Sequence, residues 1–197
     1  MVYEFLLLPF VEIEIRFGTI NQKYFDSCID RKYFEQIKKT LETGSFIIKD
    51  VFTVEHINNE NGSLKLINDS EIIMKENVVT KNIQLKNSPF DIRYSINQEF
   101  SLNSYIDSFS KNASNIIRTK SRRSYIGDTF KYDLTIVNEK QNNINKDKYE
   151  IEIELLSNEI TMTWENEYIN KFLECKIYDL INIVEPLERN KFNINLI

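Results

Sequence analysis

The stretch Val11-Glu12-Ile13-Glu14-Ile15-Arg16-Phe17-Gly18 alternates without a break. Read as a β-strand, it sends Val11, Ile13, Ile15 and Phe17 to one face and Glu12, Glu14 and Arg16 to the other, because successive side chains point to opposite sides. Tyr149-Glu150-Ile151-Glu152-Ile153-Glu154-Leu155 repeats the pattern near the other end of the chain. Glutamates on one strand face stand about 7 Å apart and cross-strand neighbours are closer still, so such rows repel. They are tolerable in open water, or where something cationic sits among them. The second arrangement constrains the fold more: two glutamate rows facing each other across a closed barrel, around a divalent metal.

The chain has 197 residues, enough for one domain built as a single large β-barrel. Hydrophobic residues make up 42% and charged residues 28%, a globular balance that argues against disorder. A net charge of −5 argues against general affinity for a nucleic-acid backbone, so an anionic substrate needs a local basic site. No apolar run approaches a membrane span, and Phe5-Leu6-Leu7-Leu8-Pro9-Phe10 lacks a signal-peptide layout; an intracellular protein is expected.

Several chemistries are excluded by what the chain lacks. Cys28 and Cys175 form no metal-ligand spacing, and neither opens a Cys-x5-Arg loop, since Phe34 and Ile181 stand where the arginine would be. The single histidine, His56, rules out His-rich metal sites and leaves little room for a Ser-His-Asp triad. Four glycines provide no phosphate-cradling loop. Carboxylates, lysines and arginines remain, which points to hard-metal chemistry on phosphates.

Along the chain, residues 19–30 read as a loop, and Arg31 to Thr43 as a helix with Tyr33, Phe34, Ile37 and Leu41 on one side, closing at Gly44. Phe46 to Ile57 is β-rich, and Asn61-Gly62 is a two-residue hairpin turn into Ser63–Ile67. Glu71–Met74 and Val78–Leu85 look like separate short strands, and Asp91 to Ile96 alternates again. Residues 99–114 carry no clear pattern. Ile117 to Ile126 returns to strand, with Arg118, Lys120 and Arg122 on one face and Thr119, Ser121 and Arg123 on the other. Thr129 to Val137 alternates next, with Lys131, Asp133 and Thr135 opposite Phe130, Tyr132, Leu134 and Ile136. The polar run Asn138–Lys148 reads as a long hairpin loop, and Asn166 to Val184 as an amphipathic helix in need of an apolar surface.

Taken together, the polar faces carry the acids Glu12, Glu14, Asp133, Glu150, Glu152 and Glu154 and the bases Arg16, Arg93, Arg118, Lys120, Arg122 and Lys131. The near balance of sign is what a mutually paired interior requires. The opposite faces are mostly apolar, fit to lie under helices. The pattern therefore suggests a barrel with an ionic, hydrated lumen, inverted relative to small barrels filled with aliphatic chains. By pattern alone a plain β-sandwich with solvated charged faces also fits, and it is the commoner arrangement.

The order of the motifs adds a resemblance. Glu-x-Glu-x-Arg, then Arg-x-Lys-x-Arg-x-Ser-Tyr, then Asp-Leu-Thr, then Tyr-Glu-Ile-Glu-Ile-Glu-Leu, resembles the tunnel-type triphosphate metalloenzymes, in particular the metal-dependent RNA 5′-triphosphatases of fungal and large-DNA-virus mRNA capping. The resemblance runs from residue 11 to about 155. It implies a mainly β fold, a closed antiparallel tunnel of eight strands with flanking helices, and removal of the γ-phosphate from triphosphate-ended RNA with Mg²⁺ or Mn²⁺. Carried onto this chain, it makes Glu12, Glu14 and Glu154 direct metal ligands, with Glu152 and Glu150 supporting the metal set or orienting basic neighbours. Arg93, Arg118, Lys120 and Arg122 become the phosphate clamp, and Arg16 completes the first catalytic motif. Lys131 and Asp133 match a pair that reads Arg-x-Asp in fungal members; lysine keeps the charge and loses the bidentate fork. Glu99 is placed after Arg93 as the group orienting the attacking water.

Other members of the superfamily act on inorganic tripolyphosphate, and often read Glu-x-Glu-x-Lys where this chain has Arg16. Nucleoside triphosphates and tripolyphosphate are expected as further substrates, and a non-catalytic tunnel in a capping assembly is the alternative of a different class. No Lys-x-Asp-Gly guanylyltransferase motif and no methyltransferase-like glycine loop occur, so the guanylyl and methyl steps fall to other domains or subunits. The chain is then a single tunnel domain, possible as the N-terminal part of a larger capping enzyme. Its richness in Asn and Ile fits an AT-rich genome such as those of large DNA viruses or cytoplasmic plasmids, with the cytoplasm or nucleus as its place.

Overall fold

A computed structural model of the chain describes residues 11–22, 24–57, 64–102, 116–141, 144–157 and 161–185. The elements are β1 (Val11–Asn21), β2 (Tyr24–Asp26), α1 (Arg31–Leu41), β3 (Ile47–Ile57), β4 (Leu64–Ile67), β5 (Glu71–Ile83), β6 (Asp91–Ser101), β7 (Ile116–Ile126), β8 (Phe130–Gln141), β9 (Ile144–Leu155) and α2 (Asn166–Val184), with a 3₁₀ turn at Thr161–Thr163. Eight strands pair in the order β1-β6-β5-β4-β3-β7-β8-β9, and β9 pairs back onto β1, so the sheet closes. Each pairing is antiparallel. Closure removes the sandwich alternative and leaves no free edge along most of the wall.

The strict alternation of β1 and β9 sets what lies inside and outside. Ile13, Ile15 and Phe17 of β1, with Ile151, Ile153 and Leu155 of β9, join one buried cluster with Phe34, Ile37 and Leu41 of α1 and Ile169, Leu173, Ile177 and Leu180 of α2. The apolar core thus lies between the outer wall and the helices, and the charged faces turn into the lumen. Asp30 caps α1 by accepting from the Lys32 N–H at 2.8 Å, and Gly44 N–H closes onto the Leu41 carbonyl at 3.0 Å. No helix among the described residues is long and apolar enough to cross a membrane.

The structure differs from the sequence reading at five places. The two glutamate rows do not face each other across the barrel: β1 and β9 are neighbouring strands of the wall, so Glu14 stands beside Glu154. Residues 19–30 are not all loop: β1 continues to Asn21 and turns into β2, with Ile20 opposite Phe25. Glu71–Met74 and Val78–Leu85 are one strand, β5, whose register shifts between Asn77 and Val79; the bulge breaks the alternation that would have joined them. Asn138–Lys148 is mostly strand, since β8 and β9 pair as far as Gln141 with Ile144, their polar residues facing water on both sides. β6 reaches Ser101, into a region with no clear pattern, while the Asn61-Gly62 turn and residues 103–115 lie outside the described residues.

Candidate active site

The lumen is built by register. Glu14 stands opposite Glu154 and Arg16 opposite Glu152 across the β1–β9 seam, and on the other side Arg16 faces Arg93 of β6. Along β8, Lys131 faces Glu154, Asp133 faces Glu152 and Thr135 faces Glu150. A cavity of about 490 Å³ inside the wall is lined by Glu12, Glu14, Arg16, Glu99, Lys120, Arg122, Lys131, Glu152 and Glu154 among others. A second, of about 880 Å³, shares Glu14, Arg16, Lys65 and Lys75 and continues along β5 and β6 to Arg93. The lumen is not purely ionic: Val51, Ile67, Ile73, Ile126 and Leu156 also line the smaller cavity.

Most of the cations are held by carboxylates. Arg16 donates through Nη2 to Glu14 at 3.0 Å and sets Nε 2.9 Å from Glu152. Arg122 spans Asp133 at 3.1 Å, Glu152 at 3.2 Å and the Thr135 hydroxyl at 3.2 Å. Asp133 is fully buried and also accepts from the Ser124 hydroxyl at 2.5 Å, so the anion that aims Arg122 is itself fixed. Lys131 lies 2.8 Å from Glu154 and 3.3 Å from Asp133. Arg118 and Glu150 form a pair at 3.0 Å toward the other end of the barrel, with Glu139 at 3.1 Å and the Ser27 hydroxyl donating to Glu150. They do not line either cavity. Arg93 is also apart, its Nε donating to Asn82 and its guanidinium lying 4.7 Å over the Phe25 ring.

Five charged groups that line the cavities escaped the sequence reading: Lys75, Glu55 and Lys65, and with them Lys49 and Glu76. Lys75 of β5 contacts Glu12, Glu14 at 3.4 Å and Glu99 at 3.5 Å, tying together three proposed site carboxylates. Glu55 of β3 holds Lys120 at 2.8 Å. Lys65 of β4 lines both cavities. The signal was faint: β4 has only four residues around Lys65, and along the inward face of β3 Lys49 and Glu55 are separated by Val51 and Thr53, so no charged row forms.

Titration follows the crowding. The Glu152 charge beside it raises Arg16, outweighing burial. Burial pushes Glu152 up, yet Arg16 and Arg122 hold it well below the usual carboxylate range. Burial also disfavours the charge on Lys75, but Glu14 and Glu12 raise it on balance. Lys65 is lowered, by burial first and then by Lys120. Glu154 is pushed up to about 8, by burial first and then by the Glu12 charge.

Glu12, Glu14 and Glu154 offer hard oxygen donors of the kind Mg²⁺ and Mn²⁺ take. The elevation of Glu154 beside Glu12 is what a divalent cation between them would relieve, so the residues fit such an ion. As the side chains stand, no three carboxylates among the described residues are gathered as a ligand set, because the ammonium groups of Lys75 and Lys131 take Glu12 and Glu154 in ion pairs. Those ammonium groups supply the positive charge that the rows require.

A closed antiparallel eight-stranded barrel with ion-paired carboxylate and basic rows inside defines a triphosphate-tunnel fold. S. pombe Pct1 RNA triphosphatase is similar, with a TM-score of 0.72 at 17% identity over 91% of this chain and 89% of that one. The RNA triphosphatase domain of a trifunctional Mimivirus mRNA capping enzyme is similar with a TM-score of 0.63 at 18% identity, over 94% and 93%. No curated protein sequence matches the chain. Residues 48–191 match the family described as mRNA capping enzyme, beta chain, and the chain belongs to that family of RNA 5′-triphosphatases.

Proposed function

We propose that the chain removes the γ-phosphate of triphosphate-ended RNA with Mg²⁺ or Mn²⁺ held by Glu12, Glu14 and Glu154, as the first step of mRNA capping. The observation that supports this most is the network itself. Buried ion pairs are poor stabilisers, since desolvation offsets their attraction, so a wall lined with them suits a polyanion better than it suits stability. Bound there, the metal would neutralise phosphate charge as the bridging oxygen leaves.

The chain's own residues do the rest. Arg122, braced by Asp133 and Glu152, and Lys120, braced by Glu55, present fixed positive charge to the phosphates. Glu152 aims Arg16 and Arg122 and stays ionised between them, so we give it a supporting role. Lys131 and Lys75 adjust the carboxylates that receive the metal. Glu99, at the rim of the smaller cavity, orients the attacking water. Nucleoside triphosphates and tripolyphosphate carry the same anhydride and are further substrates. Guanylyl and methyl transfer belong to partner domains or subunits of an intracellular assembly.

The test is phosphate release from γ-labelled triphosphate-ended RNA with Mg²⁺, Mn²⁺ or EDTA, beside Glu12→Ala. Metal-dependent release of the γ-phosphate alone, lost in the variant, is expected. Release that persists in EDTA would sink the metal assignment.

A further inference from the structure

Arg122 is held at all three of its nitrogens. Nε meets the Thr135 hydroxyl at 3.2 Å, Nη1 meets Oδ2 of Asp133 at 3.1 Å and Nη2 meets Glu152 at 3.2 Å. A guanidinium fixed this way cannot swing to suit a phosphate, so its aim is set by the groups behind it. Glu152 is itself anchored by Arg16, whose Nε lies 2.9 Å away. Asp133 has a different anchor. Its Oδ2 is shared by Arg122 and by Lys131 at 3.3 Å, while its Oδ1 takes the Ser124 hydroxyl at 2.5 Å.

A carboxylate turns easily about its last torsion, whose profile is broad and two-fold. Its two oxygens are chemically the same, so only their partners decide which of them faces the cations. Asp133 is fully buried, and among the described residues Ser124 gives the one side-chain hydrogen bond to Oδ1. An ionised carboxylate only accepts, so the proton between them belongs to the serine.

We propose that Ser124 is a positioning residue for phosphate release: by holding Oδ1 of Asp133, it fixes the carboxylate that aims Arg122 and Lys131 into the lumen. This rests on the triphosphatase reading above. Without the hydroxyl, Oδ1 becomes a buried anionic oxygen with no side-chain donor, a costly state in a low dielectric. The carboxylate then turns both oxygens toward Arg122 and Lys131, the cations already beside it, and the line from Nη1 to the lumen is lost. The positive charge stays in place, so a bound phosphate is still attracted. What suffers is the match to charge developing in the transition state.

The placement of Ser124 fits this task better than that of holding the wall. It stands directly opposite Asp133 in the β7–β8 register, where backbone hydrogen bonds pair the strands whatever the side chain. It lines the smaller cavity with Arg122 and Lys131 and takes no part in the apolar core beneath the helices.

The test follows γ-phosphate release from triphosphate-ended RNA by the full chain at steady state, with a thermal melt of each variant. Ser124→Ala is expected to lower kcat about tenfold and leave KM within about twofold. Ser124→Cys, close in size and a weak donor, should fall with it and carries the same test if the alanine variant does not fold. Ser124→Thr keeps the hydroxyl and should return kcat to within about threefold of wild type. A packing role would not sort the variants by their hydroxyl. Full kcat in Ser124→Ala and Ser124→Cys, or no recovery in a folded Ser124→Thr, overturns the positioning role while leaving the triphosphatase reading intact. A wild-type chain that releases no phosphate with Mg²⁺ or Mn²⁺ removes the triphosphatase reading, and the role of Ser124 with it.

Discussion

Individual residues in this lumen act through the charges they hold in place. Truncating the buried Glu152 leaves the half-buried Arg16 and Arg122 beside fewer anions, a change that costs at most about 3–5 kcal/mol. Glu152→Ala is therefore expected to lower the urea midpoint strongly. Glu12→Ala leaves Lys75 with Glu14 and Glu99 and should unfold close to wild type while losing metal-dependent hydrolysis. Arg122→Ala should lose about 2–4 kcal/mol of transition-state stabilisation, read from kcat/KM. Glu55 gives a pH prediction. Burial raises it, but Lys120 and Lys65 together hold it below its ordinary value of 4.5. A carboxylate lowered on folding contributes stability above its unfolded value and loses it as pH falls through the folded one. Glu55→Gln should accordingly flatten the loss of stability below about pH 4.5 in acid titrations followed by circular dichroism.

At the scale of elements, the barrel is inverted: helices cover its apolar outside. Leu173 and Ile177 of α2 are fully buried against the wall, so Leu173→Ala should cost about 2–5 kcal/mol in denaturant unfolding although it touches nothing in the lumen. The β1–β2 ribbon has its own constraint at Gly18. A methyl there would overlap the Asp26 carbonyl and the Phe25 ring, so Gly18→Ala must displace the ribbon and the ring that backs Arg93. The Tm of that variant should fall, measured by thermal melts. These elements were unequally legible. β1, β9, α1 and α2 declare themselves by clean periodicity. β5 did not, because its bulge interrupts the period of two, and β2 did not, because three residues carry no period at all.

For the molecule as a whole, two glutamate rows placed side by side on neighbouring strands cost electrostatic energy that inward cations offset, and a divalent ion that binds only the folded barrel adds stability by mass action. Mn²⁺ should raise the Tm of wild type and leave that of Glu154→Ala unchanged, in melts with the metal and with EDTA. Alternation alone determined which side chains share a face, and balanced charge made an enclosed ionic lumen physically admissible. Neither could choose it over a solvated sandwich, since a strand's period is the same in both. Closure of β9 onto β1 made that choice, and with it decided that Glu14 meets Glu154 and Arg16 meets Glu152. Pairings of that kind join residues more than a hundred positions apart in the chain. They depend on register and shear around the whole barrel, which no local stretch encodes. The same tertiary step brought Lys75, Lys65 and Glu55 into the lumen from β5, β4 and β3 and separated Arg93 and Arg118 from the smaller cavity. Side-chain period is local; the partner on the neighbouring strand is not.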